Sequence, residues 1–248
     1  MNDCWAACLG DCSGKISRGH IVTARLFLDD KITVQGPPWC RDEPKEIGLT
    51  ALTKKNLCTK HNSDLSVVDD AGISSMNVLR KTTELTNLRI KHKITRPRIL
   101  RFQIDGRALE RWFLKTFINI AFKQAYPIWR DSAKPWIPSC DLVEIAFGRK
   151  QFEPKAGLYF LSEQGERIES TERLRVVTFT NELAALVGAM FYFGGFRFFL
   201  YLDQDGPGER FRSIRSTVLS GYSQPTYHLK DIRVTLGKPL SHVIEIRW

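Results

Sequence analysis

Apolar positions are distributed differently in the two halves of the chain. In the first seventy residues they form only short runs, such as Ile32-Thr33-Val34 and Ile47-Gly48-Leu49, among many Cys, Gly, Asp and Pro residues. Runs of this length cannot supply a broad hydrophobic core. The pattern therefore predicts a small domain that is stabilised by a bound metal.

A helix and a basic segment are predicted next. Residues Ala71–Leu88 can form a helix, and the residues that follow are mostly basic, with Pro97 ending any helical continuation. The basic residues are Arg89, Lys91, His92, Lys93, Arg96 and Arg98. We interpret residues 89–98 as a linker, which either is solvated or binds phosphates.

The pattern of the second half predicts a larger α+β domain. Ile99–Ile104 alternates as a strand does, and Asp105 is a suitable N-cap for a helix over Arg107–Gln124. That helix carries a broad apolar stripe, formed by Leu109, Trp112, Phe113, Phe117, Ile120 and Ala121. Further strands of antiparallel character are predicted at Leu142–Phe147, Gly157–Leu161, Leu174–Phe179, Ile232–Leu236 and Val243–Trp248.

The apolar stretch Leu183–Leu202 is long enough to suggest a membrane helix. Gly194-Gly195 lies near its middle, however, and Arg197 follows at once, so the pattern predicts a buried β-hairpin and no membrane partner. The chain is thus divided into a small domain over residues 1–88, the linker over residues 89–98, and an α+β domain over residues 99–248 with antiparallel strands and one long helix.

The net charge of the chain indicates a class of binding partner. Lys and Arg total 37 against 27 Asp and Glu, which gives a formal net charge of +10. Such a balance favours nucleic acid, because each phosphate contact releases condensed counterions. The N-terminus has neither the basic start nor the apolar core of a signal peptide, so a cytoplasmic location is expected.

Cysteine placement points to a metal. Five of the six cysteines lie within the first 58 residues, and in a cytoplasmic protein such clustering favours metal binding over disulfides. The pair Cys58-x2-His61 presents two ligands from one tight turn, as in a zinc knuckle, and two upstream cysteines would complete a tetrahedral site. Cys4, Cys8 and Cys12 are the candidates for those two positions.

Two segments around these ligands resemble the HNH, or ββα-metal, endonuclease superfamily. The first contains Ile16-Ser-Arg-Gly-His20 after Cys12-x-Gly, and the second is Leu57-Cys-Thr-Lys-His-Asn62. The resemblance covers roughly the first seventy residues. It implies a zinc-stapled ββα-metal fold of the HNH or treble-clef-like type, in which Cys4, Cys12, Cys58 and His61 hold a structural Zn²⁺ and Cys8 is the next choice.

The resemblance also implies catalytic roles. His20, at the end of the first strand, would act as the general base that takes a proton from water. Asn62, at the start of the helical element, would be a ligand of a catalytic Mg²⁺ or Mn²⁺ ion. The expected reaction is hydrolysis of DNA phosphodiester bonds, in a setting such as defence against foreign DNA. The residues expected to contact nucleic acid are Arg18, Lys60, Arg89, Lys91 and Lys93.

Two positions depart from the pattern. The middle Asn of the motif would stand at Thr53, and Asn56 is nearby but displaced. Active members of the superfamily often place Asp or Glu before the catalytic His, and here that residue is Gly19. Asp64, Asp69 or Asp70 could supply the missing carboxylate if the helix turns them inward. The alternative is a zinc-dependent module that binds nucleic acid or protein without cutting, in which His20 could itself bind zinc. The domain over residues 99–248 is then expected to recognise substrate, sense a signal, or contact a partner protein or a second copy.

Overall fold

The computed structural model describes residues 4–37, 39–94, 98–122, 137–162, 173–180, 185–193, 196–203, 226–229, 232–236 and 242–248. Its first half contains the elements β1 (Ile16–His20), β2 (Lys31–Gln35), β3 (Lys45–Gly48), β4 (Thr53–Cys58), α1 (Thr59–Asp64) and α2 (Ser66–Lys91). The second half contains β5 (Leu100–Asp105), α3 (Gly106–Ala121), α4 (Cys140–Ala146), β6 (Gly157–Ser162), β7 (Arg173–Thr180), β8 (Leu186–Phe193), β9 (Phe196–Tyr201), β10 (Thr226–Leu229), β11 (Ile232–Leu236) and β12 (His242–Arg247).

Strands β1 and β4 near the N-terminus form a two-stranded sheet next to helix α1, and β2 and β3 lie between these strands in the chain. Strand β1 pairs antiparallel with β4, in a register that sets Ile16 opposite Cys58 and His20 opposite Thr53. Helix α1 begins directly after β4, and the Cys58 thiol accepts a hydrogen bond from the backbone N–H of His61 at its first turn. Leu65 interrupts the helix for one residue before α2 continues. The predicted end of the first strand at His20 is therefore observed.

The larger sheet is mixed. Its seven strands lie in the order β10-β6-β9-β8-β7-β2-β3, and a second sheet of three strands has the order β11-β12-β5. Most pairs are antiparallel, as predicted, but β2–β7 and β12–β5 are parallel. Strands β8 and β9 pair antiparallel, which agrees with the predicted hairpin. The Gly194-Gly195 turn itself lies outside the described residues.

The predicted strand over Leu142–Phe147 is wrong, because this segment is helix α4. The Ser139 hydroxyl accepts a hydrogen bond from Leu142 N at 3.3 Å and so caps the helix. The buried residues Leu142, Val143, Ile145 and Ala146 recur at helical spacing. A short apolar run is compatible with both the two-residue period of a strand and the 3.6-residue period of a helix, and here the N-cap residue favours the helix.

Helix α3 is the centre of the core. Its N-cap is Asp105, as predicted, since the carboxylate accepts a hydrogen bond from Ala108 N at 3.0 Å. The helix ends at Ala121, and the last two residues of the predicted range, 123 and 124, lie outside the described residues. On one side the Phe113 ring packs against Phe191 and Phe198 of the large sheet, at centroid distances of 4.9 and 5.0 Å.

The N-terminal part of the chain shares this core. On its other side α3 packs against α2, where the indole of Trp112 lies directly over Gly72. One hydrophobic cluster therefore contains buried residues from both predicted domains, such as Trp5 and Phe198. The division into residues 1–88, 89–98 and 99–248 stays a prediction about folding units. Arg89 and Lys91, which belong to the predicted linker, lie in the last turn of helix α2. The helical hydrogen bonds continue to the backbone N–H of His92.

None of the helices in the described part of the chain combines the length and the apolar character needed to cross a membrane.

Candidate metal centre

Four side chains converge where strand β4 meets helix α1. Cys4 precedes the first turn, Cys12 lies in the loop before β1, Cys58 ends β4 and His61 lies in the first turn of α1. Their donor atoms all lie within 4.8 Å of one another. The His61 Nδ1 atom is 3.3 Å from the Sγ atoms of Cys4 and Cys58 and 3.6 Å from Sγ of Cys12.

These distances fit a tetrahedral ion. Zinc bonds of about 2.3 Å to sulfur and about 2.0 Å to nitrogen place neighbouring donor atoms about 3.5 Å apart. Three of the residues, Cys4, Cys58 and His61, are buried, and Cys12 is half-buried. The four side chains could therefore hold a metal ion such as zinc. A closed set of four protein ligands is typical of a structural ion, since a catalytic zinc keeps one position open.

Local backbone structure brings the first ligand into place. The Trp5 N–H donates to the carbonyl of Asn56 at 3.0 Å, which ties the segment around Cys4 to strand β4. A single 3₁₀ turn over Ala7–Leu9 follows and ends at Gly10 in the left-handed region, with φ of 82°. This reversal returns the chain so that Cys12 reaches the same site.

Asp11 supports His61 from outside the cluster. The His61 Nε2 atom is 2.7 Å from Asp11 Oδ1, while Lys60 Nζ lies 2.6 Å from Asp11 Oδ2. The hydrogen bond from Lys60, and after it the one from His61, lowers the pKa of Asp11 to about 2. A carboxylate on the far ring nitrogen is the usual way of fixing the orientation of a histidine that binds metal through the other nitrogen.

The thiols differ in how easily they ionise. Burial raises the pKa of Cys4 to about 12. Burial also acts to raise the pKa of Cys58, but hydrogen bonds from the backbone of His61 and from Ser13 outweigh it and lower that pKa to about 6. Cys58 is thus prepared as a thiolate ligand at the start of α1, whereas Cys4 requires the cation itself to favour deprotonation.

Cys8 lies outside the cluster. Its side chain is exposed and contacts Cys140 at the start of α4, and burial followed by this contact raises its pKa to about 12. Of the three upstream cysteines, Cys4 and Cys12 therefore join Cys58 and His61. His20, the alternative zinc ligand, does not belong to this group of four, and neither does Asn62, which was predicted to bind the catalytic ion.

The two predicted catalytic residues lie on neighbouring elements. His20 is the exposed last residue of β1, and Asn62 is half-buried on α1. The Asn62 Oδ1 atom is only 2.6 Å from the position that a Cβ on Gly19 would take. Helix α1 therefore lays the Asn62 amide directly against the strand residue that precedes His20.

The three candidate carboxylates each have a cation or hydroxyl partner. Asp64 binds Lys60 at 2.9 Å and Asp70 binds Arg25 at 2.6 Å. Asp69 accepts a hydrogen bond from Thr23 Oγ1 at 2.6 Å and forms an ion pair with the buried Lys115.

The residues expected to contact nucleic acid are dispersed. Arg18 is exposed on β1, and Lys60 is bound to Asp11 and Asp64. Arg89 donates to the carbonyl of Arg98 at 2.8 Å, near Lys91 at the end of α2. Lys93, just beyond the helix, has a φ of 50°.

Asn119 is the residue that sequence reasoning missed. It lies fully buried on α3, and its Oδ1 accepts from Trp5 Nε1 at 3.1 Å and from Asn56 Nδ2 at 2.7 Å. Its Nδ2 lies within 3.4 Å of the carbonyls of His20 and Ile21. One amide thus joins the metal-binding segment, β4 and the end of β1 to the core helix. A polar residue among Phe117, Ile118 and Ile120 was the available signal.

Comparison of the chain with models of known protein families, with curated proteins and with solved structures found no match.

Proposed function

We propose that the chain is a metal-dependent nuclease of the HNH type, which hydrolyses phosphodiester bonds in DNA. The observation that carries the proposal is the placement of the Asn62 amide against Gly19 of β1, the residue before His20, in the region that also brings together Cys4, Cys12, Cys58 and His61. The pairing of β1 with β4, and the start of α1 directly after β4, support the proposal, because the resemblance implies two strands followed by a helix.

In this proposal the cluster of four ligands has a structural role and stabilises the fold. Zinc held there connects the N-terminal segment, the end of β4 and the first turn of α1. It thereby fixes the start of α1, and with it Asn62, relative to β1. Binding energy at such a site is folding energy, since the unfolded chain has no preformed site.

His20 supplies the acid–base chemistry. The exposed imidazole of His20 accepts a proton from the water that attacks the phosphodiester. The amide oxygen of Asn62 is a ligand for Mg²⁺ or Mn²⁺, which when bound supplies positive charge to the phosphate. Mg²⁺ is commonly held by one or two protein oxygens together with substrate phosphates, so a small protein contribution is compatible with this role.

Charge supports DNA as the partner. The chain has a formal net charge of +10, and Arg18 projects from the same strand that ends at His20. Exposed cations near a phosphodiester site attract the backbone by counterion release, independently of base sequence.

A second candidate function is a zinc-stapled module that binds nucleic acid without cutting. Gly19 favours it, because this position offers no carboxylate and Asn62 fills the adjacent space. The partners of Asp64, Asp69 and Asp70 favour it as well, since each carboxylate already interacts with another side chain. A hard cation held by one amide oxygen would bind weakly.

Nicking of supercoiled plasmid by the full, zinc-loaded chain separates the two functions. Cleavage that requires Mg²⁺ or Mn²⁺ and falls by about 10²- to 10⁴-fold in His20→Ala supports the nuclease. His92→Ala is the matched control, because His92 is an exposed histidine at the end of α2. DNA binding with no cleavage by the wild-type chain would support the binding module instead.

A further inference from the structure

A cavity of about 260 Å³ lies away from the metal centre. Its walls come from the first turns of α3, from Ile145 of α4, from Gly148 and residues 150–152 of the loop that follows α4, and from Trp248. It shares no residue with the cluster of four metal ligands. We call this space the α3 cavity.

Arg111 is held rigidly in the wall of the α3 cavity. Its Nε donates to the carbonyl of Ala146 at 3.0 Å. Its guanidinium lies over Gly148, so closely that a Cβ there would be 2.8 Å from the Cζ and Nη1 atoms. Gly148 has a φ of 74°, which further favours glycine at this position. The loop is thus shaped to receive this guanidinium.

Arg111 is half-buried, and two carboxylates lie near it. Burial lowers the pKa of Arg111, against a smaller opposing effect from Asp105. Glu110 also lines the cavity, but its Oε2 accepts a hydrogen bond from Leu158 N at 2.7 Å. A partly buried, fixed guanidinium that faces a cavity is suited to bidentate contact with an oxyanion.

Two more cations and two aromatic rings complete the wall. Arg107 lies one helical turn before Arg111 on α3, and Lys150 lies on the facing loop, where it also pairs with Asp141 at 2.9 Å. Phe152 and Trp248 line the same space. The wall therefore combines donors for a multiply charged oxyanion with apolar rings for the group that carries it.

We propose that the α3 cavity binds the phosphate group of a small phosphorylated molecule, with its organic part against Phe152 and Trp248. Arg107, Arg111 and Lys150 contact the phosphate. The site goes beyond the proposed nuclease activity and does not depend on it. A recessed cavity of this size admits a mononucleotide-sized ligand rather than the continuous backbone of duplex DNA.

Isothermal titration of the full, zinc-loaded chain tests the proposal. The probes are inorganic phosphate, phenyl phosphate, adenosine 5′-monophosphate and, as a carboxylate, malonate. We expect phenyl phosphate and adenosine 5′-monophosphate to bind at one site and more tightly than inorganic phosphate. Malonate should bind more weakly than any of the three phosphates. Arg107→Gln should weaken binding of phenyl phosphate about 10- to 100-fold, because a charged hydrogen-bond donor is lost.

Arg149→Gln is the matched control. It makes the same substitution as Arg107→Gln and lies on the loop that carries Lys150, but Arg149 does not line the cavity, and its ion-pair contact is a long one of 3.9 Å to Asp11. Lys150→Gln provides a second test, since it is exposed and its loss should leave the fold intact. Circular dichroism and the melting temperature establish that each variant is folded.

Three results would overturn the proposal: no phosphorylated probe binds the wild-type chain, malonate binds more tightly than the phosphates, or Arg149→Gln weakens binding as much as Arg107→Gln. If Arg107→Gln instead reduces affinity for duplex DNA and leaves the small probes unaffected, the cavity is part of a nucleic-acid surface and the proposal is wrong. None of these readouts uses DNA cleavage, so failure of the nuclease proposal would be seen separately.

Discussion

The amide oxygen of Asn62 on α1 lies 2.6 Å from the point where a Cβ on Gly19 would stand. Gly19 and Asn62 are 43 positions apart in the sequence, and a Cβ at position 19 would occupy the space that the Asn62 amide fills. The atom in the way is the end of a rotatable side chain, so a side chain at position 19 would displace the amide rather than the backbone. This contact makes position 19 a direct probe of the metal-binding role that we propose for Asn62.

We predict that Gly19→Asp strengthens Mn²⁺ binding by about tenfold or more and raises the rate of plasmid nicking. The new carboxylate would stand next to the Asn62 amide and give the hard cation an anionic oxygen ligand. Titration calorimetry with Mn²⁺ and the nicking rate measure the two effects. Gly19→Ala is the control, because it displaces Asn62 without adding charge. Equal results for the two variants would contradict the catalytic interpretation of this site.

Cysteine variants should separate the metal ligands from their neighbour. We expect Cys12→Ser to lose bound zinc and to lower the melting temperature by about 10 °C, since a structural metal contributes directly to folding. Cys8→Ser should keep one zinc per chain and melt within about 2 °C of the wild type, because Cys8 lies outside the cluster. Metal analysis and calorimetry check both. Loss of zinc in Cys8→Ser would show that the ligand set is different.

Asp11→Asn should weaken zinc binding by about 10- to 100-fold while leaving the fold intact. Asp11 orients the His61 ring through its Nε2 atom, and removal of such a carboxylate typically has this effect on metal affinity. Competition with a chromogenic chelator measures the affinity. Asp64→Asn is the matched control: Asp64 also pairs with Lys60, whereas the contact of 2.7 Å to His61 belongs to Asp11. Similar losses in both variants would assign the effect to Lys60 rather than to His61.

Replacement of the buried amide on α3 should be strongly destabilising. We predict that Asn119→Leu lowers the free energy of unfolding by about 3–5 kcal/mol, because two donors and two carbonyls lose their partner. Urea unfolding measures the change. Asn87→Leu, at an exposed position of α2, should change it by less than about 0.5 kcal/mol. A small effect of Asn119→Leu would mean that water replaces the amide.

Local signals in the sequence were sufficient for several elements. The Asp105 cap, the apolar stripe of α3 and the Cys-x2-His turn depend on residues close together in the chain, and the structure has all three. The choice of Cys12 as a zinc ligand, by contrast, came from the resemblance. The exposed position of Cys8 beside Cys140 could not be foreseen, since these residues are brought together only by the packing of α4.

Most of the features that the sequence did not predict depend on contacts between residues far apart in the chain. Thr33 on β2 pairs with Arg173 on β7, and nothing in either segment specifies a parallel partner so distant in the chain. The four hydrogen bonds of Asn119 are likewise invisible in the sequence, because they join α3 to three segments near the N-terminus. The nuclease assignment, the DNA partner and the role of His20 stay predictions.

The parallel pairing of β2 with β7 has a consequence for how the protein assembles. Strand β2 lies in the chain between β1 and β4, so the two strands that carry the metal-binding ends are connected through the large sheet. A fragment that ended at residue 88 would leave Ile32 and Val34, both buried in the intact chain, without the strand that covers one edge of β2. The metal site should therefore mature late in synthesis, after the ribosome has delivered β7, and an ion captured earlier would be held by an unfinished scaffold.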